Sequence, residues 1–506
     1  MSAHIARMGS PPSSTERVSP RLQLLLFAAI GVIVLIAALR VRVCWSNDRY
    51  LDHTAGAWTA LATDLKDGVF YRPLFGPDGY GGTRYFPLYF VLYALLMKLG
   101  VGVLLSGYLL SATGIIALLA GTFYLLKKLG VEPWLAVCGA GATLASYSLQ
   151  LSLLSTRADG LASALDVWGL AACAHSKPSH SRILLASILF ALAWSAKLTT
   201  VFGFAAAFLW LLFAGSSTMA WVLAAETACG CLVVAGAMAI DSQGRIWGIL
   251  KACATGGASP LLMASGPWHM LNVAFREDPG LLLFSFLALL ALTRKTLRNL
   301  PALFFIMTIA VTAMIFGTPG ANFNHLLDVQ VAAVILFTAC LANKDASIPK
   351  GLGVYALALA TLLAAVPVAH KLKIEDRLLA PHRFEKAIAL IGDTRKPILA
   401  ENPLLPVLAG QRPYVMDPFM LRVLREHQPS LAQPLLDGLR HQNFSAVVLF
   451  MRDPRTDEGQ TWYEHEHFGP GFLPALNSSY RLAFIVNGQF VYLQNADAPQ
   501  ESVTNK

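Results

Sequence analysis

The stretch WSNDRYLDHTAGAWTALATDLKDGVFYRPLFGPDGYGGTRYFPLYFVLYALLMKLG, residues 45 to 100, lies between two long apolar runs, and its reading decides the fold. Its last part, PLYFVLYALLMKLG (87–100), is about 14 residues long and carries Lys98 near its end. A spanning helix needs about 20 apolar residues, because the hydrocarbon core is ~30 Å thick and each helical residue rises 1.5 Å. The segment therefore reads as a helix lying on or dipping into the interface. Leaving it out of the span count sets the topology. With the N-terminus inside, Lys127 and Lys128, Lys177 and Arg182, Arg294, Lys295 and Arg298, and Lys344 and Lys350 all fall on the cytoplasmic face, as the positive-inside rule asks. Counting it as a span inverts them all.

Outward from this stretch, eleven apolar runs read as spans: 22–43, 106–126, 134–154, 159–174, 183–198, 200–214, 219–240, 280–293, 300–317, 326–342 and 351–369. The first is long and is followed by Arg40 and Arg42 rather than by a small-residue cleavage site, so it reads as an uncleaved span and not a signal peptide. Hydrophobic residues make up 55% of the 506-residue chain and charged residues 14%, against roughly 25% charged in soluble globular proteins. That excludes a water-soluble enzyme and a disordered chain. The seven Cys all lie in or beside apolar runs, which excludes a disulfide scaffold and gives none of them a redox role. The net charge of +9 follows from Lys and Arg at the ends of apolar runs, so nucleic acid is not an expected partner.

The expected architecture is an α-helical polytopic membrane protein of about eleven spans. A cytoplasmic tail (1–21) precedes a membrane domain (22–369), whose first outer loop runs from 45 to 105 and whose second large outer loop runs from 241 to 279. Residues 375–506 carry soluble patterning. PILAE (397–401), SAVVLF (445–450) and a hairpin of RLAFIV and QFVYLQ around Asn487-Gly488 read as strands. Residues 418–427 and 430–441 read as helices, giving a small α/β domain on the extracytoplasmic side, with substrate contact, packing and a lid role all open. Ionisable residues gather at outer helix ends and in the first loop rather than at the bilayer midplane, which points to chemistry at the outer surface more than to a channel or pump.

Within the first loop, Asp52 to Leu65 has the spacing of a short amphipathic helix lying on the membrane. Asp48, Asp52 and His53 stand at its start, where a carboxylate is also a natural cap. Asp67-Gly68 breaks the helix. Tyr71-Arg72-Pro73, a Gly-rich turn and Thr83-Arg84-Tyr85-Phe86-Pro87-Leu88 follow.

This arrangement resembles the C-type (GT-C) glycosyltransferases, a class that includes the protein O-mannosyltransferases and the lipid A aminoarabinose transferases. Arg157-Ala158-Asp159-Gly160-Leu161-Ala162 is similar to the family's Arg-x-Asp at the outer start of a span. Lys197 ends another span, and GANFNHLLD (320–328) resembles the family's Asn-rich start of a late one. The departure is in the acid: relatives carry Asp-Glu or Asp-x-Asp where this chain has Asp52-His53, with Asn47-Asp48 just before.

The resemblance implies transfer of a sugar from a polyprenyl-phosphate donor to a lipid, glycan or protein acceptor at the outer face of a cell inner membrane. Asp52 or Asp48 is then the base. Arg84, Arg157, Lys197 and His325 are the candidate phosphate ligands, supported by His53, Asp159, Asn324, Asp328 and Tyr85. The aromatic helix from Tyr85 to Tyr93 is a candidate wall for the lipid tail. Some relatives use a divalent cation such as Mg or Mn; only Asp48, Asp52 and Asp159 are candidate oxygen ligands here. The alternative is a transporter or flippase of lipid-linked sugars. Each cation also has a plainer reading as an anchor, a snorkelling side chain or a partner of a nearby helix, and His465 and His467 in YEHEHF read as a solvated surface strand.

Overall fold

The computed structural model describes residues 18–175, 179–255, 260–318, 320–342, 348–377, 384–392, 395–426 and 428–495. Lys177 and Lys344, two of the lysines used to orient the chain, lie outside them. In hydrocarbon a backbone must satisfy its own polar groups, so the apolar runs fold as helices. Pro20, Pro87, Pro133 and Pro279 each stand in the first turn of one, where a missing N–H costs nothing. Each of the eleven runs falls on helix. Among the described residues, however, five helices are long and apolar enough to cross a membrane: Pro20–Ser46, Val103–Lys128, Ser217–Asp241, Phe323–Leu341 and Lys350–Glu375. A sixth arises if the pair Pro133–Ala145 and Tyr147–Leu154, bent by 78°, counts as one span. His180–Ala196, Phe202–Phe213, Pro279–Ala291 and Leu300–Ile315 are apolar but shorter, as is Asp159–Cys173.

Three expectations about these helices change. The run 134–154 is not a straight span. Ser146 caps the second half, and Asp278 accepts hydrogen bonds from the Ser146 hydroxyl at 2.7 Å and from the Ser148 N–H and hydroxyl at 3.1 Å each, which satisfies the backbone freed at the bend. Arg40 does not flank the first helix but lies inside it, fully buried. There it makes a bidentate pair with Glu375 near the end of the last membrane helix and donates to Gln150 at 2.7 Å. The loop 241–279 is largely helical, as Arg245–Thr255 and Pro260–Glu277.

The first outer loop is packed, not splayed on a surface. Its helix, His53–Lys66, is buried on every side from Ala55 to Ala62, because a run of Ala and Gly lets neighbours approach. Helix Pro87–Lys98 covers it on one side and Leu404–Leu408 on another. A Cβ at Gly56 would stand 2.2 Å from Asn402 Oδ1, so only glycine fits there. Beyond it, strand β1 (Phe75–Gly76) pairs with β2 (Gly79–Tyr80). Tyr80 exchanges backbone hydrogen bonds with Tyr414 (2.7 Å) and Met416 (2.9 Å). Arg72, paired with Asp64 at 2.6 Å, also donates to the Pro413 carbonyl. The loop is thus bound to the C-terminal segment.

That segment carries a four-stranded sheet of β3 (Ile398–Ala400), β4 (Ala446–Leu449), β5 (Tyr480–Val486) and β6 (Gln489–Gln494), in spatial order β3-β4-β6-β5. β3 and β4 are parallel and the rest antiparallel. Asn487 and Gly488 join β5 to β6 with φ of 51° and 73°, the signature of a tight primed turn. Helices Pro418–Arg425 and Gln433–Arg440 pack on it through Met420, Leu421, Leu424, Leu435 and Leu439.

Candidate functional site

Nine of the eleven site residues named from the sequence line one cavity of about 650 Å³: Asp52, His53, Arg84, Tyr85, Arg157, Asp159, Lys197, Asn324 and His325. They arrive from five places along the chain. Asp52 and His53 open the first-loop helix, and Arg84 and Tyr85 precede Pro87–Lys98. Arg157 and Asp159 stand at the start of Asp159–Cys173, with Lys197 just beyond His180–Ala196. Asn324 and His325 sit in the short 3-10 turn Phe323–Leu326. Chain breaks at helix ends bring the polar groups together while the helices stay apolar.

Asp52 does two things. One carboxylate oxygen accepts the Ala55 N–H at 3.0 Å and caps the helix; the other accepts from the Arg157 guanidinium. The cap and the ion pair are both real, so the sequence alternatives were not exclusive. Burial pulls the Asp52 carboxyl up, but Arg157 and His53 outweigh that and leave it below its ordinary value. Lys197 Nζ lies 2.6 Å from Asp159 Oδ1, and Asn324 Nδ2 donates to the same oxygen at 3.2 Å. Among the described residues, His325 Nδ1 is buried without a hydrogen-bond partner. The Arg84 guanidinium lies 5.5 Å from the centre of the Phe419 ring.

Two named residues are elsewhere. Asp48 is not part of the lining; it adopts φ of 52° and accepts from the Tyr108 hydroxyl at 3.3 Å. Asp328 is 3% exposed, also outside the lining, and accepts from the Ser163 hydroxyl of the neighbouring helix. The expected aromatic wall is only partly there. Tyr85 and Phe86 line the cavity, whereas Tyr89, Phe90 and Tyr93 are buried, Tyr89 and Phe90 against Trp58 and Tyr93 beside Thr59. Among the described residues no group of three or more His, Cys, Asp or Glu side chains can hold a metal ion. With Asp52 held by Arg157, Asp159 by Lys197 and Asp48 apart, the donor set does not fit a hard divalent cation, and no step is routed through one.

The largest departure from the sequence reading is the contribution of the C-terminal segment. Asp417, Phe419, Phe450, Met451, Trp462, Glu466 and His467 line the same cavity. His467 is not on a solvated strand: it is 1% exposed and follows a single wide helical turn, Trp462–Glu466. Its Nδ1 lies 2.9 Å from Glu401 Oε1, and its ring stands edge-on to His53 at 4.8 Å. Glu401, just after β3, is saturated with donors: Trp462 Nε1 (2.8 Å), the Tyr463 hydroxyl (3.1 Å) and the N–H groups of Phe450 (2.6 Å) and Met451 (3.0 Å). Burial works against its charge, but these donors and His467 hold its carboxyl down at about 2. Burial and the neighbouring His467 push His53 below its ordinary value. The only sequence signal for this arrangement was the pair of histidines in YEHEHF.

No family model matches the chain, and no curated protein does. Solved structures do. The chain is similar to ArnT from Cupriavidus metallidurans bound to undecaprenyl phosphate, with a TM-score of 0.51 and 12% identity over 93% of this chain and 99% of that one. It is also similar to the archaeal oligosaccharyltransferase AglB from Archaeoglobus fulgidus in complex with an inhibitory peptide and a dolichol-phosphate, with a TM-score of 0.54 and 13% identity over 94% of this chain and 75% of that one. Both are GT-C glycosyltransferases, and the present chain has the GT-C fold.

Proposed function

We propose that this chain is a membrane glycosyltransferase that moves a sugar from a polyprenyl-phosphate donor to an acceptor at the outer face of a cell inner membrane, with Asp52 as the base. One observation carries this reading: a carboxylate shares a partly enclosed cavity with Arg84, Arg157 and Lys197, in a fold whose solved examples include chains holding undecaprenyl phosphate and dolichol-phosphate. The acceptor oxygen attacks the anomeric carbon as the carbon–oxygen bond to phosphate breaks, the bonding pair leaving with the phosphate. The acceptor's proton passes to Asp52. Positioned cations stabilise the charge that grows on the phosphate oxygens, and arginine's planar fork matches two of them at once. Asp48, held by Tyr108 outside the cavity, has no part in this step.

The test uses purified full-length protein in nanodiscs, with the polyprenyl phosphosugar fraction of the host envelope, radiolabelled, and an envelope glycolipid extract. Label appearing in a new glycoconjugate supports transfer. Label that only changes leaflet as intact donor favours transport instead and overturns the reading.

A further inference from the structure

The two halves of the chain line the cavity differently, and the membrane half adds Asp52 and Asp159, paired with Arg157 and Lys197, to its four cations. The membrane half supplies Arg49, Arg84, Arg157 and Lys197; among the described residues, the C-terminal segment supplies no Lys or Arg to the lining but places Asp417, Glu466 and His467 there with Trp462 and Phe419. A phosphosugar headgroup fits the cationic side. A second anionic group on the other side would meet two carboxylates in a low-dielectric cleft, where like charges repel strongly. Carboxylates, an imidazole and aromatic faces together suit a hydroxyl-rich ring: the oxygens accept from its hydroxyls, and the ring planes cover its C–H faces.

His467 is the built part of this side. Glu401 faces Nδ1 at 2.9 Å, and the ring packs on Trp462 with centroids 4.3 Å apart. Among the described residues Nδ1 makes no directed hydrogen bond to Glu401, so the pair fixes the place of the ring and not its tautomer. Glu401 itself cannot swing away, since four further donors hold it. Glu401 and His53 contact His467 directly, and Asp52, Asp417 and Glu466 line the same cavity.

We propose that the C-terminal segment forms the acceptor subsite, that it takes a neutral hydroxylated sugar ring, and that the His467 imidazole hydrogen-bonds one of its hydroxyls, with Glu401 as the positioning residue. This rests on the transferase reading and adds the class of the acceptor.

The experiment divides the envelope glycolipid extract by anion exchange into neutral and anionic pools. Each is offered to the wild-type protein with the labelled polyprenyl phosphosugar fraction. Label is expected in the neutral pool. His467→Gln is expected to raise the half-saturating concentration of that pool roughly tenfold, the worth of one hydrogen bond, with the donor KM and kcat within twofold. Glu401→Gln, which loosens the place of the imidazole, is expected to raise the same acceptor KM with the donor KM and kcat within twofold; if this variant does not fold, His467→Gln decides alone.

The outcomes separate. No transfer by the wild type overturns the transferase reading and this inference with it. Transfer into the anionic pool overturns the inference alone. Transfer into the neutral pool with an unchanged acceptor KM in His467→Gln overturns the role of the Glu401–His467 pair.

Discussion

Replacing Asp52 with Asn separates chemistry from folding better than any other single change in the cavity. Asn caps helices about as well as Asp, so the bond to the Ala55 N–H, 3.0 Å in the native chain, has a replacement. What disappears is the charge opposite Arg157, whose side chain is 7% exposed against 28% for Asp52. Breaking a fully buried pair costs about 3–5 kcal/mol. Here the partly open cavity and the nearby Asp159 reduce that, and a stability loss of about 1–2 kcal/mol is expected. The effect on transfer is larger, since a positioned base is worth about 10²–10⁴-fold, or roughly 3–5 kcal/mol of barrier. Transfer of labelled sugar and thermal unfolding are measured on the same preparation, with Asp48→Asn as control. The expected result is a folded Asp52→Asn protein with transfer at most a hundredth of native, beside a control near native activity. Transfer within threefold of native in Asp52→Asn would refute the assignment of the base.

Lys197→Met leaves Asp159, among the described residues, with the Asn324 hydrogen bond and the charge of Arg157; the variant is expected to lose about 2–4 kcal/mol of stability in thermal unfolding and to bind polyprenyl phosphate more weakly. Acid is expected to loosen the C-terminal segment. The folded Glu401 carboxyl sits at about 2, below an unfolded value of about 4.3, so its stabilisation is complete above pH 5 and lost as the pH falls through that window. The full effect is on the order of 3 kcal/mol, read as a falling unfolding temperature that Glu401→Gln does not show. Gly56→Ala gains up to ~1 kcal/mol in helix propensity but sets a methyl 2.2 Å from Asn402 Oδ1 and 2.8 Å from the Leu404 N. Overpacking of ~1–3 kcal/mol is expected to win, measured as a lower unfolding temperature.

How much of this was legible in the sequence follows from where each residue sits along the chain. Asp52, Arg157, Asp159 and Lys197 begin or end apolar runs, and polar residues at such ends stand out against hydrocarbon patterning. Helix existence was legible for the same reason. Span count was not, because length within a run does not show a bend: nothing in the apolar run 134–154 separates Ser146 from an ordinary polar residue until Asp278 arrives 132 positions later. Burial was also hidden. The Ala-rich helix His53–Lys66 has the spacing of a surface helix, and its cover comes from Pro87–Lys98 and from Asn402 and Leu404 far along the chain. Asp417, Trp462 and His467 lie in ordinary soluble patterning, and their place in the cavity depends on the first loop binding Tyr414 and Met416, a contact no local period encodes.

The three arginine and lysine candidates for phosphate are not equivalent, and the difference can be measured. Arg157 and Lys197 are each paired with a carboxylate, Asp52 and Asp159. A phosphate that meets them must share them with those partners. Arg84 instead lies over the Phe419 ring, and among the described residues no carboxylate comes within ion-pair distance of it. An aromatic face holds a guanidinium in place at about 0.5–2 kcal/mol without cancelling its charge, so Arg84 keeps its donors for an incoming anion. Arg84→Met is therefore expected to weaken polyprenyl phosphate binding by the worth of a charge-assisted hydrogen bond, about 1.5–3 kcal/mol or roughly 10- to 150-fold, while stability stays within about 0.5 kcal/mol of native. Lys197→Met lowers both. Titration of the undivided cavity with polyprenyl phosphate and thermal unfolding of the two variants side by side distinguish them; an Arg84 variant that unfolds as early as the Lys197 variant, or that binds the phosphate as the native chain does, refutes this division of labour.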